Sequence, residues 1–200
     1  MSELNTWMQV LEAQAEEILN RAKELNAPVF AAIDGRCAAG KTTLAAVLQK
    51  KSGCPVVHLD DFFLRPEQRT AERYAEPGGN VDRERLLEEV IQPLEAKRDA
   101  EYQKFDCSVM RLGEQVHVPC APLIVFEGSY ALHPELRDHY HLKIFMDVDP
   151  KEQLDRIEAR SGKEKRAMFE AKWIPLEEKY FSFYRVEDCA DIRINTSDAK

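Results

Sequence analysis

A three-layer α/β/α domain built on a central parallel sheet is the fold class this sequence predicts, and three observations lead there. Short runs dominated by apolar residues, without strict alternation, recur at 28–33, 56–59, 123–126 and 142–147, where a sheet with one wet face would alternate. Segments of helical periodicity separate them, the pattern of strand–helix–strand units in which neighbouring strands run parallel. The first run, Pro28 to Ile33, leads directly into Gly35-Arg36-Cys37-Ala38-Ala39-Gly40-Lys41-Thr42, which matches the phosphate-binding loop (P-loop) pattern G-x-x-x-x-G-K-[ST].

Strand, glycine turn and helix are what phosphate binding requires. The two glycines let the backbone curl until successive N–H groups point inward, and the helix N-terminus adds partial positive charge. Gly35, Arg36, Cys37, Ala38, Ala39, Gly40, Lys41, Thr42 and Thr43 are therefore the expected nucleotide-contacting residues. Lys41 is placed to reach the β- and γ-phosphates of ATP, and the Thr42 hydroxyl to ligate Mg²⁺. A chance match in a chain of this length is on the order of one percent. Cys37, beside the helix N-terminus, is expected to carry a lowered thiol pKa and to be shielded from alkylation by ATP.

The remaining elements follow in order. Leu4, Trp7, Met8, Leu11, Ile18, Leu19, Ala22 and Leu25 form one stripe of an amphipathic helix over 3–25, to which only a structural role is assigned. Val56 to Leu59 is a second buried strand ending at Asp60-Asp61. Residues 64–80 are polar and turn-rich, the expectation being a mobile segment facing a substrate. Asp82 opens a helix with Leu86, Leu87, Val90 and Ile91 turned inward. A hairpin is expected from Tyr102 to Val118, reversing near Leu112-Gly113-Glu114. Leu123 to Phe126 and Leu142 to Asp147 are further strands, helices are expected at 134–139, 150–160 and 165–183, and Ile192 to Ile194 closes the sheet. One domain, 1–200, with a helix at 1–26 and a core at 28–195, accounts for the chain; no repeat or linker divides it.

Composition narrows the function classes. A formal charge of -8 excludes non-specific binding to nucleic-acid backbones. Five cysteines without C-x-x-C pairs suit reduced thiols, no run reaches membrane-spanning length, and the first residues lack a basic, apolar leader, so a cytoplasmic location is expected. His133, His139 and His141 lack metal-site spacing and read as a surface loop. Asn195 to Asp198 lacks the lysine of a guanine-reading motif.

From the loop onward the chain resembles the uridine kinase and phosphoribulokinase group of small-molecule kinases. The pieces that carry the resemblance are Asp34 to Thr43, His58-Leu-Asp60-Asp61-Phe62-Phe63, Phe105-Asp106, Ile124 to Leu132, Ile144 to Asp149, Arg156 with Arg160, and Ala190-Asp191-Ile192, in that order over 28–195. The resemblance implies a nucleoside-kinase-like P-loop fold with an inserted hairpin. It also implies Asp60 as catalytic base, Glu127 beside Thr42 at Mg²⁺, and lid arginines, Arg160 and Arg166 ahead of Arg156, closing over the phosphates. Asp82, Tyr102, Phe105, Asp106 and Arg111 are the implied acceptor contacts. Where uridine-type kinases have Tyr-Asp followed by a histidine and an arginine, this chain has Phe105-Asp106 with Arg111 and no histidine between 107 and 116.

The residues themselves support the same chemistry. An alcohol is a weak nucleophile near neutral pH and benefits from a carboxylate that accepts its proton. Asp60 ends a strand, where ligands bind in such sheets. The expectation is an ATP- and Mg²⁺-dependent kinase that phosphorylates a free hydroxyl of a nucleoside or similar small molecule, with self-association left open. A nucleoside monophosphate kinase would instead clamp an ionised acceptor with arginines, for which Arg65, Arg69, Arg73 and Arg83 are available. A regulatory ATPase or nucleotide-dependent switch would use the same loop without an acceptor.

Overall fold

The computed structural model describes residues 2–197. Five parallel strands form the sheet: β1 (Val29–Gly35), β2 (Val56–His58), β5 (Leu123–Glu127), β6 (Leu142–Asp147) and β7 (Ile192–Asn195), in the order β2-β5-β1-β6-β7. β1 lies at the centre, Ala31 level with Val125 on one side and with Leu142 on the other. Every residue of β1 and β5 is buried, which explains apolar runs without alternation.

Two apolar cores flank the sheet because successive β1 side chains point to opposite faces. Val29, Ala31 and Ile33 join Leu11, Ala15 and Ile18 of α1 (Ser2–Lys23) and Leu44, Val47 and Leu48 of α2 (Lys41–Ser52). Phe30 and Ala32 face the other core, built on Phe126, Phe145, Leu86, Ile91, Leu136 and Tyr180. Helices α4 (Arg83–Leu86), α5 (Gln92–Glu95), α6 (Pro134–Arg137) and α9 (Ile174–Tyr184) contribute side chains to it; α3 (Ala71–Ala75), α7 (Pro150–Ser161) and α8 (Lys163–Met168) do not. Burial of each large side chain such as Phe30 contributes roughly 1.5–3 kcal/mol. No helix among the described residues is long and apolar enough to cross a membrane.

The antiparallel pair β3 (Ala100–Asp106) and β4 (Arg111–Val118) is the inserted hairpin. Its reversal lies at 107–110 rather than at Leu112-Gly113-Glu114. The Asp106 carboxylate accepts from both the amide and the hydroxyl of Ser108, a local turn that outcompetes the glycine signal. Other boundaries also differ from expectation. α1 stops at Lys23, leaving Leu25 39% exposed. The 64–80 segment is ordered by α3, by Arg73 donating to the carbonyls of Gly79 and Val81, and by buried Asn80. From 163 to 184 the chain is helical, with a wider π-type turn between α8 and α9. The Leu4 side chain and Asp198, both part of the sequence reading, lie outside the described residues.

Candidate active site

The phosphate-binding loop joins β1 to α2 at the carboxyl end of the sheet. Gly35 has φ +129, and a Cβ there would stand 2.0 Å from the Met146 carbonyl oxygen, so only glycine fits beside β6. Asp34, fully buried, holds the neighbourhood together. Its carboxylate accepts from the amides of Gly35, Tyr130 and Leu132 and from the Tyr180 hydroxyl. Burial pushes its pKa up, while the Leu132 amide, the Lys41 charge, the Gly35 amide and the Tyr180 hydroxyl work against that rise. The first helical bond of α2 runs from the Leu44 amide to the Gly40 carbonyl, so the amides of 41–43 precede it with no intrahelical partner.

A cavity of about 750 Å³ opens over this loop. Cys37, Ala38, Gly40, Lys41, Thr42 and Thr43 line it; Gly35, Arg36 and Ala39 do not. The Lys41 ammonium donates to the carbonyls of Gly35 (2.6 Å) and Arg36 (2.9 Å). The Arg36 guanidinium pairs with Asp147 and Glu178 instead of facing the cavity. Thr42 Oγ1 lies 3.2 Å from Glu127 Oε2, and His58 Nδ1 holds the other carboxylate oxygen. That bond to Glu127 raises the His58 pKa, chiefly, while partial burial opposes the rise. One hydroxyl and one buried carboxylate facing each other form an oxygen set that suits a hard divalent cation, so the residues fit Mg²⁺.

Asp60 lies in the 3₁₀ turn Leu59–Phe62 after β2 and lines the same cavity. It opens to the cavity while protein crowds its other sides. That desolvation raises its pKa, the charge of Glu127 adds to the rise, and Lys41 and His58 oppose it. Asp61 instead accepts from the Tyr102 hydroxyl at 2.8 Å.

The implied acceptor contacts are placed elsewhere. Tyr102 is buried against Phe62 with ring centroids 4.7 Å apart. Phe105 is buried under the Arg69 guanidinium, Asp106 caps the hairpin turn, and Arg111 is exposed on β4. Asp82 is the N-cap of α4 and accepts from the Arg85 amide and from Arg65 Nε. None of these lines the cavity. Tyr102, Asp106 and Asp82 already spend their polar atoms on Asp61, on Ser108, and on Arg85 with Arg65.

The arginines sort differently from expectation. Arg156 and Arg160 line the cavity, and Arg156 donates to the Ala38 carbonyl of the loop. Arg166 lies outside it, paired with Glu158 at 2.6 Å and with Asp155, so its charge is spent within the lid. Arg65, Arg69, Arg73 and Arg83 are committed to Asp82, the Leu64 carbonyl, Glu84, and Glu76 with Glu135. None of the four lines the cavity, which removes the geometry of a phosphate clamp.

Cys37 also departs from the sequence reading. Burial and the nearby Glu177 carboxylate push its thiol up to about 12, so it is poorly reactive at neutral pH. Glu177 itself went unnoticed in the sequence. It is buried on α9, its carboxylate accepting from the Cys37 amide (3.0 Å) and the Ser129 hydroxyl (2.7 Å). Gln153 of α7 donates to the Cys37 carbonyl. Nothing in local sequence marks either residue, since each acts across more than a hundred positions.

His133 is buried rather than in a surface loop, whereas His141 is exposed in the bend before β6. His141 accepts from the Phe30 amide, and His133 accepts from the Glu135 amide at the start of α6 while stacking on Tyr180. His133 lies close to Glu76 and Glu135, their ligand-type atoms within 4.8 Å of one another. The Arg83 guanidinium already bonds both carboxylates and, with burial as the larger cause, pushes His133 down to about 4. That cluster carries its own cation.

Comparison with known proteins agrees with the geometry. A family model described as AAA domain matches residues 32–175. Among solved structures, a possible uridine kinase from Bacillus stearothermophilus superimposes with a TM-score of 0.67 at 20% identity, covering 92% of this chain and 96% of that one. TT1252 from Thermus thermophilus gives 0.43 at 23% identity, with 84% and 88% covered. A shikimate kinase from Bacteroides thetaiotaomicron gives 0.42 at 18%, with 84% and 86% covered. No curated protein matches the chain. The first of these superpositions establishes the fold.

Proposed function

The chain belongs to the AAA domain family, and from that footing we propose that it is a kinase moving the γ-phosphoryl group of ATP to a hydroxyl of a nucleoside-like small molecule. One observation carries the reading: Lys41, Thr42, Glu127 and Asp60 all line one cavity. A loop that grips a polyphosphate and a carboxylate suited to activating an alcohol thus share a space large enough for two ligands.

The roles follow from chemistry. The amides at the start of α2 and the Lys41 ammonium bind the phosphate oxygens, Lys41 exchanging its two loop carbonyls for them. Thr42 and Glu127 would hold Mg²⁺, which when bound neutralises charge on the β- and γ-phosphates. The acceptor lies over Asp60, beside Phe63 and Tyr130, which also line the cavity. Asp60 takes the hydroxyl proton as the oxygen bonds to the γ-phosphorus and the bond to the ADP oxygen breaks. Its raised pKa makes it a stronger base than an ordinary carboxylate. Arg160 is the lid cation for the migrating group. Five free cysteines support a reducing, cytoplasmic setting.

A coupled ADP-release screen over nucleosides, vitamins and sugar alcohols tests the proposal. Acceptor-dependent ADP release supports it. ATP turnover indifferent to every acceptor would favour the switch reading, and failure of ATP to bind would remove both.

A further inference from the structure

The N-terminal helix lies outside the matched residues 32–175, and its periodicity suggests only packing. Yet Trp7 of α1 lines the cavity together with the phosphate-binding loop. Its ring edge rests on Gly40, so closely that a Cβ there would come within 2.9 Å of Trp7 Cζ2. The Arg156 guanidinium lies over the indole at 5.7 Å, and the same guanidinium donates to the Ala38 carbonyl and to Thr196 Oγ1. Thr196 lines the cavity too. An aromatic face, a stacked cation and a hydroxyl therefore adjoin the loop, apart from the groups assigned to phosphoryl transfer. Trp7 Nε1 is buried with no acceptor among the described residues.

We propose that Trp7, with Arg156 stacked on it, is the platform for the aromatic base of the nucleotide, so that α1 forms part of the nucleotide site. The inference rests on the kinase reading above, since it takes the loop as the holder of the phosphates. Phosphates fixed at Gly40 to Thr43 leave the nucleoside end within the same cavity, and a base gains most from an indole–guanidinium pair. Glycine at position 40 has a second reason to be glycine: a side chain would lift the indole from the loop.

The test separates base from phosphate. In a W173F chain, Trp7 is the sole tryptophan, and its emission is followed during titration with ATP and with inorganic tripolyphosphate. ATP should change the emission at saturation and tripolyphosphate should not. In parallel, W7L should weaken ATP binding by about tenfold or more while tripolyphosphate affinity stays within about twofold, and W7F should recover most of the loss. Equal ATP affinity in W7L and the parent, or identical emission changes with both ligands, would overturn the platform and leave the kinase reading intact. If the parent binds neither ligand, the kinase reading fails and this inference with it. Should W7L unfold, the W173F titration decides alone.

Discussion

Replacing Asp60 with asparagine keeps the shape of the side chain and removes its ability to accept a proton. The surroundings set the size of the effect. Desolvation and the Glu127 charge make Asp60 a better base than a free carboxylate, so its loss removes a tuned group rather than an incidental one. General-base catalysis of this kind contributes about 10²–10⁴ in rate, or about 3–5 kcal/mol of barrier. ATP affinity should hold or tighten, because one negative charge leaves the neighbourhood of Lys41 and the triphosphate. The parent's turnover should also decline as pH falls through the raised pKa of Asp60, since the protonated acid accepts nothing. Asp60→Asn should lack that acid limb. Coupled ADP release with the true acceptor from pH 4 to 8, alongside calorimetric ATP binding, measures all three. Near-parental turnover, or an unchanged acid limb, would show that another group takes the proton.

Gly35→Ala would drive a Cβ into the Met146 backbone at a φ that L residues rarely adopt, costing about 2–6 kcal/mol in a urea melt; a loss under 0.5 kcal/mol would refute the packing argument. Glu177→Gln removes a carboxylate bonded to a loop amide, so ATP should bind several-fold more tightly while stability falls by about 1 kcal/mol, and weaker ATP binding would contradict this. His133 sits near 4 in the fold against an ordinary 6.5, so the unfolded chain takes its proton first. Its contribution is thus complete above 6.5 and lost as pH falls toward 4, by about 3 kcal/mol at most. The stability gap between parent and His133→Asn should narrow from pH 7 to pH 4.5 in denaturant titrations, and a constant gap would dismiss the linkage.

Local chemistry made much of this molecule legible from residues alone. The run Pro28 to Ile33 followed by two glycines, a lysine and a threonine has one sensible conformation, because apolar burial, backbone freedom and helix polarity agree there. The same holds for the buried strands and for Asp82 as a helix start. Acceptor contacts were not legible in this way. Tyr102, Phe105 and Asp106 have side chains suited to a ligand, yet the hairpin folds onto the core and spends them on Phe62, Arg69 and Ser108. Arg166 has the right charge but meets Glu158 before it can meet a phosphate.

Sequence alone determined the strands, the loop and the residue types suited to phosphate, since each depends on neighbours within a few positions. The strand order, by contrast, pairs β1 with segments far along the chain and was set by the tertiary fold. Only the tertiary structure decided which distant groups share the cavity. Glu177 reaches Cys37 and Asp34 gathers Tyr130, Leu132 and Tyr180. Trp7 comes to lie on Gly40. Such pairings are set by how helices settle on the two faces of the sheet, and a side chain's partner across a hundred residues leaves no mark in the pattern around it.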